Sequence, residues 1–232
     1  MEQRALDTDA AVAFLAELAG SGPVLELAVG TGRIGLPLVG RGIEVHGIDA
    51  SEQMVARLRS KPGGERVHVT MGDFADVPVE GRYALVYVVF NTLFALQTQE
   101  AQIRCFQNVA AHLADDGVLV VEAFVPDLAR FDRGQRIETE RVTTDEVSLE
   151  VSRHHPSEQR VESQRIIVRE DGIRLYPVQI RYAFPAELDL MARLAGLQLA
   201  ERFGGWRREP FTASSEMHVS VYEAAERTEA LR

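Results

Sequence analysis

Three acids, Glu26, Asp49 and Asp73, stand in or just after short apolar runs, and glycines separate the first two. Residues 24–35 read Val-Leu-Glu-Leu-Ala-Val-Gly-Thr-Gly-Arg-Ile-Gly. Gly30 and Gly32 suit a tight turn where backbone approaches a ligand with no Cβ between them. A second apolar run, Ile43–Ile48, ends on Asp49. An acid at the tip of the strand that follows a glycine turn is the residue type that accepts hydrogen bonds from ribose hydroxyls. An adenosine-containing ligand is therefore expected.

Two cofactors fit that expectation. Gly30-x-Gly32-x-x-Gly35 with Asp49 about 20 residues on matches the dinucleotide fingerprint, which would make the chain an NAD(P)-dependent oxidoreductase. In such a fold the glycine turn follows the strand directly and the pyrophosphate sits on a helix N-terminus. Here Glu26 lies inside the strand, and Leu27-Ala28-Val29 precede the first glycine. An acid at that place repels a diphosphate. S-adenosylmethionine has no phosphate and carries a sulfonium and an ammonium. No Tyr-x-x-x-Lys pair for hydride transfer occurs in the chain. The residues favour the methyl donor.

Later runs extend the pattern, in order: His46-Gly-Ile-Asp-Ala-Ser-Glu-Gln-Met54, Met71-Gly-Asp-Phe74, Tyr83–Thr92 and Gly117–Phe124. Together with 24–32 they resemble the motifs of class I S-adenosylmethionine-dependent methyltransferases over residues 20–126. Ala28 stands where many members have glycine. The resemblance implies a Rossmann-like, doubly wound, mostly parallel seven-stranded sheet. It implies that Glu26, Ala28, Gly30 and Gly32 line the methionine half of the cofactor. Asp49, with Ala50 beside it, would hold the ribose. Asp73 would meet the adenine amino group, Phe74 would cover the ring, and Phe90 would border the reactive end. The chain is also similar to small-molecule methyltransferases, including sugar N-methyltransferases of antibiotic pathways, in a strand-rich insert and in Phe184-Pro-Ala-Glu-Leu.

Ligands of open α/β sheets lie outside the carboxyl ends of the strands. That rule selects three candidate catalytic groups. Asn91 ends the fourth strand and either bonds the nucleophile or caps the next turn. Glu122 ends the fifth, as a base of raised pKa or as an anchor for a backbone amide. His218 begins the last strand, as a base or as a satisfied core histidine. Phe124, Tyr176, Arg181 and Trp206, with Tyr182, are candidate acceptor contacts or else insert core. His154 and His155 are adjacent on a strand and face opposite ways, so no metal is expected.

The elements that must carry these residues follow from periodicity. Apolar positions 11, 12, 14, 15 and 18 predict a helix over 8–19. Strands are expected at 23–27, 44–48, 66–71, 83–89 and 117–124, alternating with helices near 33–40, 51–59 and 98–114, which means a parallel sheet covered on both faces. Residues 137–184 alternate with period two and predict an antiparallel insert after the fifth strand. Its strands fall at 138–143, 147–153, 160–168 and 173–183. A helix starts at Phe184-Pro185, strands follow at 197–202 and 217–223, and the charged tail 224–232 is expected to fray.

With 232 residues and 46% hydrophobic side chains, one domain with a sizeable core is expected. A net charge of −10 and no dense Lys/Arg run disfavour nucleic acid as a partner. No apolar stretch approaches the ~20 residues that span a membrane. Cys105 is the single cysteine, which excludes an intrachain disulfide. A cytoplasmic enzyme acting on a small molecule is the expectation. The insert would roof its site or pair two subunits.

Overall fold

The structure is a computed structural model and describes residues 7–225. Helix α1 (Thr8–Ala19) begins where Asp7 accepts the Ala10 N–H at 3.0 Å. Strand β1 (Val24–Leu27) leads into the glycine turn and the short helix α2 (Gly35–Gly40). Strand β2 (Val45–Asp49) is followed by α3 (Glu52–Arg59), capped by Ser51 on the Met54 N–H. Then come β3 (His68–Met71), β4 (Tyr83–Val88), α4 (Gln99–His112) and β5 (Leu113–Phe124). Thr98 caps α4 through the Ala101 N–H. The insert is β6 (Gln135–Val142), β7 (Glu146–His155), β8 (Arg160–Arg169) and β9 (Gly172–Arg181). Helix α5 (Pro185–Leu194), β10 (Leu197–Phe203) and β11 (Met217–Ala224) complete the described chain.

The strands form two sheets among the described residues. The larger has seven strands in the order β10-β11-β5-β4-β1-β2-β3. β3 to β5 pair in parallel, while β11 runs antiparallel to both β5 and β10. This is the expected mostly parallel, doubly wound sheet. The order reverses between β1 and β4, which places the switch point at their carboxyl ends. The smaller sheet is an antiparallel meander, β6-β7-β8-β9.

Two core clusters cover the faces of the larger sheet. Leu85, Tyr87 and Val89 pack toward α1 and α2, and Val86 and Val88 pack toward α4 and α5. Burial on both faces explains why β4 reads as a continuous apolar run rather than an alternating one. Cys105 is buried in the second cluster, and burial pushes its thiol up to about 12, so it is an unreactive core residue. Val161, Tyr182 and Ala183 also join that cluster, which docks one end of the insert against the strand tips.

Most predicted boundaries agree within two residues; β5 and β6 start earlier, β6 at Gln135 in place of 138. α2 starts at Gly35, two residues late, because Gly30 and Gly32 adopt φ of 55° and 75° and keep the preceding residues in a turn. β5 starts at Leu113, because Leu113 pairs with Tyr83 before a register shift admits the polar turn residues. The predicted tail beyond residue 225 lies outside the described residues.

Candidate active site

The carboxyl ends of β1 and β2 are joined by the glycine turn. Asp49 is buried at the tip of β2. One of its oxygens accepts the Gly30 N–H at 2.7 Å and the other accepts the Ser51 N–H at 2.8 Å. The acid therefore fixes the turn in front of it, with lone pairs left over on both oxygens. Ala28 has φ 58°, a left-handed conformation that disfavours any side chain and explains why glycine suits this position. A Cβ on Gly30 would meet only the Ala28 carbonyl oxygen, 3.9 Å away, so the space over this glycine is open.

Glu26 lies on β1 in register with Tyr87 of β4. Burial pushes its pKa up to about 8, against the opposing effects of the nearby Tyr87 hydroxyl and the Gly35 backbone. The Tyr87 hydroxyl and Glu26 Oε2 are both buried without a hydrogen-bond partner. Gly35 is needed here, since a Cβ on it would sit 2.9 Å from Glu26 Oε2. The third glycine of the fingerprint thus makes room for an acid instead of packing a helix on a pyrophosphate. A buried acid with one unpaired oxygen next to an open glycine turn suits a cationic amino-acid group. The residues fit S-adenosylmethionine.

Asp73 and Phe74 follow β3. Asp73 is exposed and turns the chain by accepting the Ala75 N–H at 2.8 Å, while Phe74 packs partly on the core. Ala50 is exposed beside Asp49.

The tips of β4 and β5 are tied together. Phe90 and Asn91 both have positive φ, 62° and 60°. Glu122 on β5 accepts the Phe90 N–H at 2.5 Å, and Asn91 Oδ1 accepts the Phe124 N–H at 2.6 Å. Glu122 thus anchors a backbone amide, one of its two expected roles, whereas the Asn91 side chain does not cap the next turn and instead bonds β5. Burial raises the Glu122 pKa, opposed by the Phe90 N–H and by the charge of Arg33. Arg33, which sequence reasoning passed over, lies 4.5 Å over the Phe90 ring and donates from Nε to Thr8 Oγ1 at 3.3 Å. It links the glycine turn, the β4 tip and α1.

Two cavities meet at Asn91 and Phe124. The first, about 480 Å³, lies between these tips and the insert. Phe90, Phe124, Phe131 and Tyr182 supply its aromatic wall, and Glu150, Ser152, Ser163 and Arg165 supply polar groups from β7 and β8. The second, about 680 Å³, is lined by Glu122, Trp206, Ser214 and Met217, among others. A more open hollow of about 920 Å³ at Glu44, His46 and His68 sits by the amino ends of β2 and β3, the wrong edge of the sheet for a ligand of this fold.

The remaining predicted residues fall in different surroundings. Trp206 lines the second cavity and packs edge-on against Phe14. His218 is buried on the opposite face of β11 from the cavity-lining Met217. Its Nδ1 meets Ser220 Oγ at 2.8 Å, and burial, aided by Arg202, holds its pKa down at about 4. Arg181 is buried, bonding Gln102 Oε1 at 2.6 Å and Glu187 at 2.7 Å, so it ties β9 to α4 and α5. Tyr176 is exposed on β9 and lines neither cavity. His154 and His155 diverge as expected, toward Tyr182 and Glu162. No cluster of three potential metal ligands occurs among the described residues.

An open parallel sheet with a glycine turn, an acid at the β2 tip and a buried acid with an unpaired oxygen in β1 defines a class of adenosine-cofactor enzymes built for a cation. The comparisons agree on which. Residues 24–117 match the methyltransferase domain family. The structure of the CcbJ methyltransferase from Streptomyces caelestis is 44% identical, superposes with a TM-score of 0.90, and matches over 94% of this chain and 90% of that one. The chain is 29% identical to the cypemycin N-terminal methyltransferase of a Streptomyces species, over 86% of this chain and 82% of that protein. The amino pentose methyltransferase CalS10 of Micromonospora echinaspora shares the fold at 23% identity and a TM-score of 0.66, over 92% and 88% of the two chains. The chain belongs to the S-adenosylmethionine-dependent methyltransferases, and S-adenosylmethionine is its cofactor. The oxidoreductase reading of the glycine turn finds no support.

Proposed function

We propose that this enzyme methylates a nitrogen of a small molecule held in the cavity between the β4–β5 tips and the insert. The observation that carries the reading is that this cavity shares Phe90, Asn91 and Phe124 with the cofactor end of the sheet. Its volume of about 480 Å³ falls within the roughly 300–1,000 Å³ of small-ligand sites. The N-terminal methyltransferase among the relatives supports nitrogen over oxygen. A net charge of −10 supports a small acceptor over nucleic acid. One cysteine, buried, suits the cytoplasm. No described helix is long and apolar enough to cross a membrane.

When bound, the cofactor supplies an electrophilic methyl group on a sulfonium, a good leaving group. The protein's part is alignment and exclusion of water. Asp49 would hold the adenosine half, and Glu26 with the glycine turn would line the amino-acid half. Phe90, Phe124 and Phe131 give the acceptor a dry wall, and the polar groups of β7 and β8 orient it.

A panel of small primary and secondary amines, including aminosugars, tests the reading by methyl transfer followed by mass spectrometry. Ser163→Trp, which fills the cavity, should abolish transfer and leave S-adenosylhomocysteine affinity within about twofold. Unchanged transfer in that variant places the acceptor elsewhere.

A further inference from the structure

Tyr182, in the wall of the first cavity, forms a polar pair with His154 beside it. The Tyr182 hydroxyl and His154 Nε2 are 2.9 Å apart. His154 shares the cavity-facing side of β7 with Glu150 and Ser152, four and two residues away, because strand side chains alternate. Its cross-strand partner Val161 also lines the cavity. Phe131 stacks on the imidazole, with ring centroids 4.7 Å apart and planes at 25°. Backbone bonds fix both residues: the His154 N–H donates to Gly134 at 2.8 Å and the Tyr182 N–H donates to Gln159 at 2.9 Å.

We propose that Tyr182 and His154 relay a proton away from the acceptor nitrogen. The inference rests on the N-methylation proposed for this cavity. An amine that arrives as an ammonium has no lone pair to offer. The Tyr182 oxygen takes one ammonium proton while its own proton passes to His154 Nε2. The products are a neutral amine, a neutral tyrosine and an imidazolium, which returns its proton to solvent because His154 is only partly buried. The freed lone pair then forms the N–C bond as the C–S bond breaks and its electron pair stays on sulfur.

The surroundings suit these roles. Burial, and secondarily the neighbouring His155, holds the His154 pKa below its ordinary value, so the ring is neutral near pH 7 and Nε2 can accept. Burial, then the charge of Glu187, raises the Tyr182 pKa, opposed by Arg181, so the hydroxyl stays protonated between turnovers. The other charged groups of the cavity are Asp127, Glu150, Arg165 and Arg130, the last over the Phe131 ring at 5.8 Å. Enclosure in the cavity lowers the pKa of the acceptor ammonium as well, which eases the transfer.

The test uses the full chain and an amine from the panel that the wild type methylates, with kcat and KM followed from about pH 6 to about pH 10. Tyr182→Phe and His154→Asn should each lower kcat about 100-fold near pH 7, within the usual range for acid–base groups. The deficit should shrink as pH rises through the acceptor's own pKa, since the amine then arrives neutral. A merely structural role would not produce that pH dependence. Tyr182→Phe keeps the buried ring, so it carries the test even where His154→Asn unfolds. A deficit constant with pH, or no deficit, overturns the relay. Methylation of no amine in the panel overturns the proposed function instead, which is a separate outcome.

Discussion

Glu122, on β5, accepts the backbone N–H of Phe90, just past the end of β4, at 2.5 Å. Asn91 answers in the other direction, accepting the Phe124 N–H of β5 at 2.6 Å. The two bonds hold a pair of consecutive non-glycine residues in the left-handed region. That conformation costs roughly 1–2 kcal/mol per residue. The strained tip is where the cofactor end and both cavities meet.

If Glu122 acts by holding the tip, Glu122→Gln should preserve function, because the amide oxygen still accepts from Phe90. Glu122→Ala should release the tip and weaken S-adenosylhomocysteine binding about tenfold or more in calorimetry. Equal affinity in the wild type and the alanine variant removes this role. A kcat lost in the glutamine variant, with binding intact, returns Glu122 to base catalysis.

Glu26 links cofactor binding to protons. Burial raises its pKa to about 8, so it is mostly protonated at pH 7 in the free protein. A bound ammonium favours the carboxylate and expels the proton. Calorimetry at pH 7 in buffers of different ionisation enthalpy should reveal proton release on binding. Glu26→Gln should abolish it.

The same shift predicts a stability effect. The folded pKa lies above the ordinary value of 4.5, so the stabilisation from protonated Glu26 is complete below about pH 4.5 and is lost as pH rises through about 8. Melting temperature should therefore fall less between pH 6 and pH 9 in Glu26→Gln than in the wild type. Parallel profiles would show that Glu26 is not the group responsible.

The insert offers an edge along which two copies would pair. β9 is an edge strand, and Ile173, Leu175, Tyr176 and Val178 on it are all exposed. A second copy pairing along that edge would cover them. Light scattering should show a dimer that Leu175→Lys breaks. A monomeric wild type at micromolar concentration contradicts this.

Much of this molecule is legible from side-chain period alone. Alternating strands and helices announced the parallel sheet, and the period-two alternation over 137–184 announced the antiparallel insert. Asp49 was legible because its place at a strand tip is a local signal. The roles of Asn91 and Glu122 were not decidable, since each bonds backbone 32 or more residues away. Period two separates the faces of β7 and β8 but does not say which face looks inward, so Glu150, Ser152, Ser163 and Arg165 were missed. Arg181 looked like a roof residue because it lies in the insert. Its partners Gln102 and Glu187 lie on two helices outside the insert, and nothing near it in sequence points to Gln102, 79 residues away.

The most direct test is calorimetry of S-adenosylhomocysteine with Asp49→Ala. Loss of a carboxylate that bonds ribose hydroxyls removes charged hydrogen bonds of about 1.5–3 kcal/mol each. Affinity should drop about 100-fold or more, with the melting temperature confirming a folded variant. Undiminished affinity in a folded Asp49→Ala protein would contradict the assignment of the glycine turn and its acid to this cofactor.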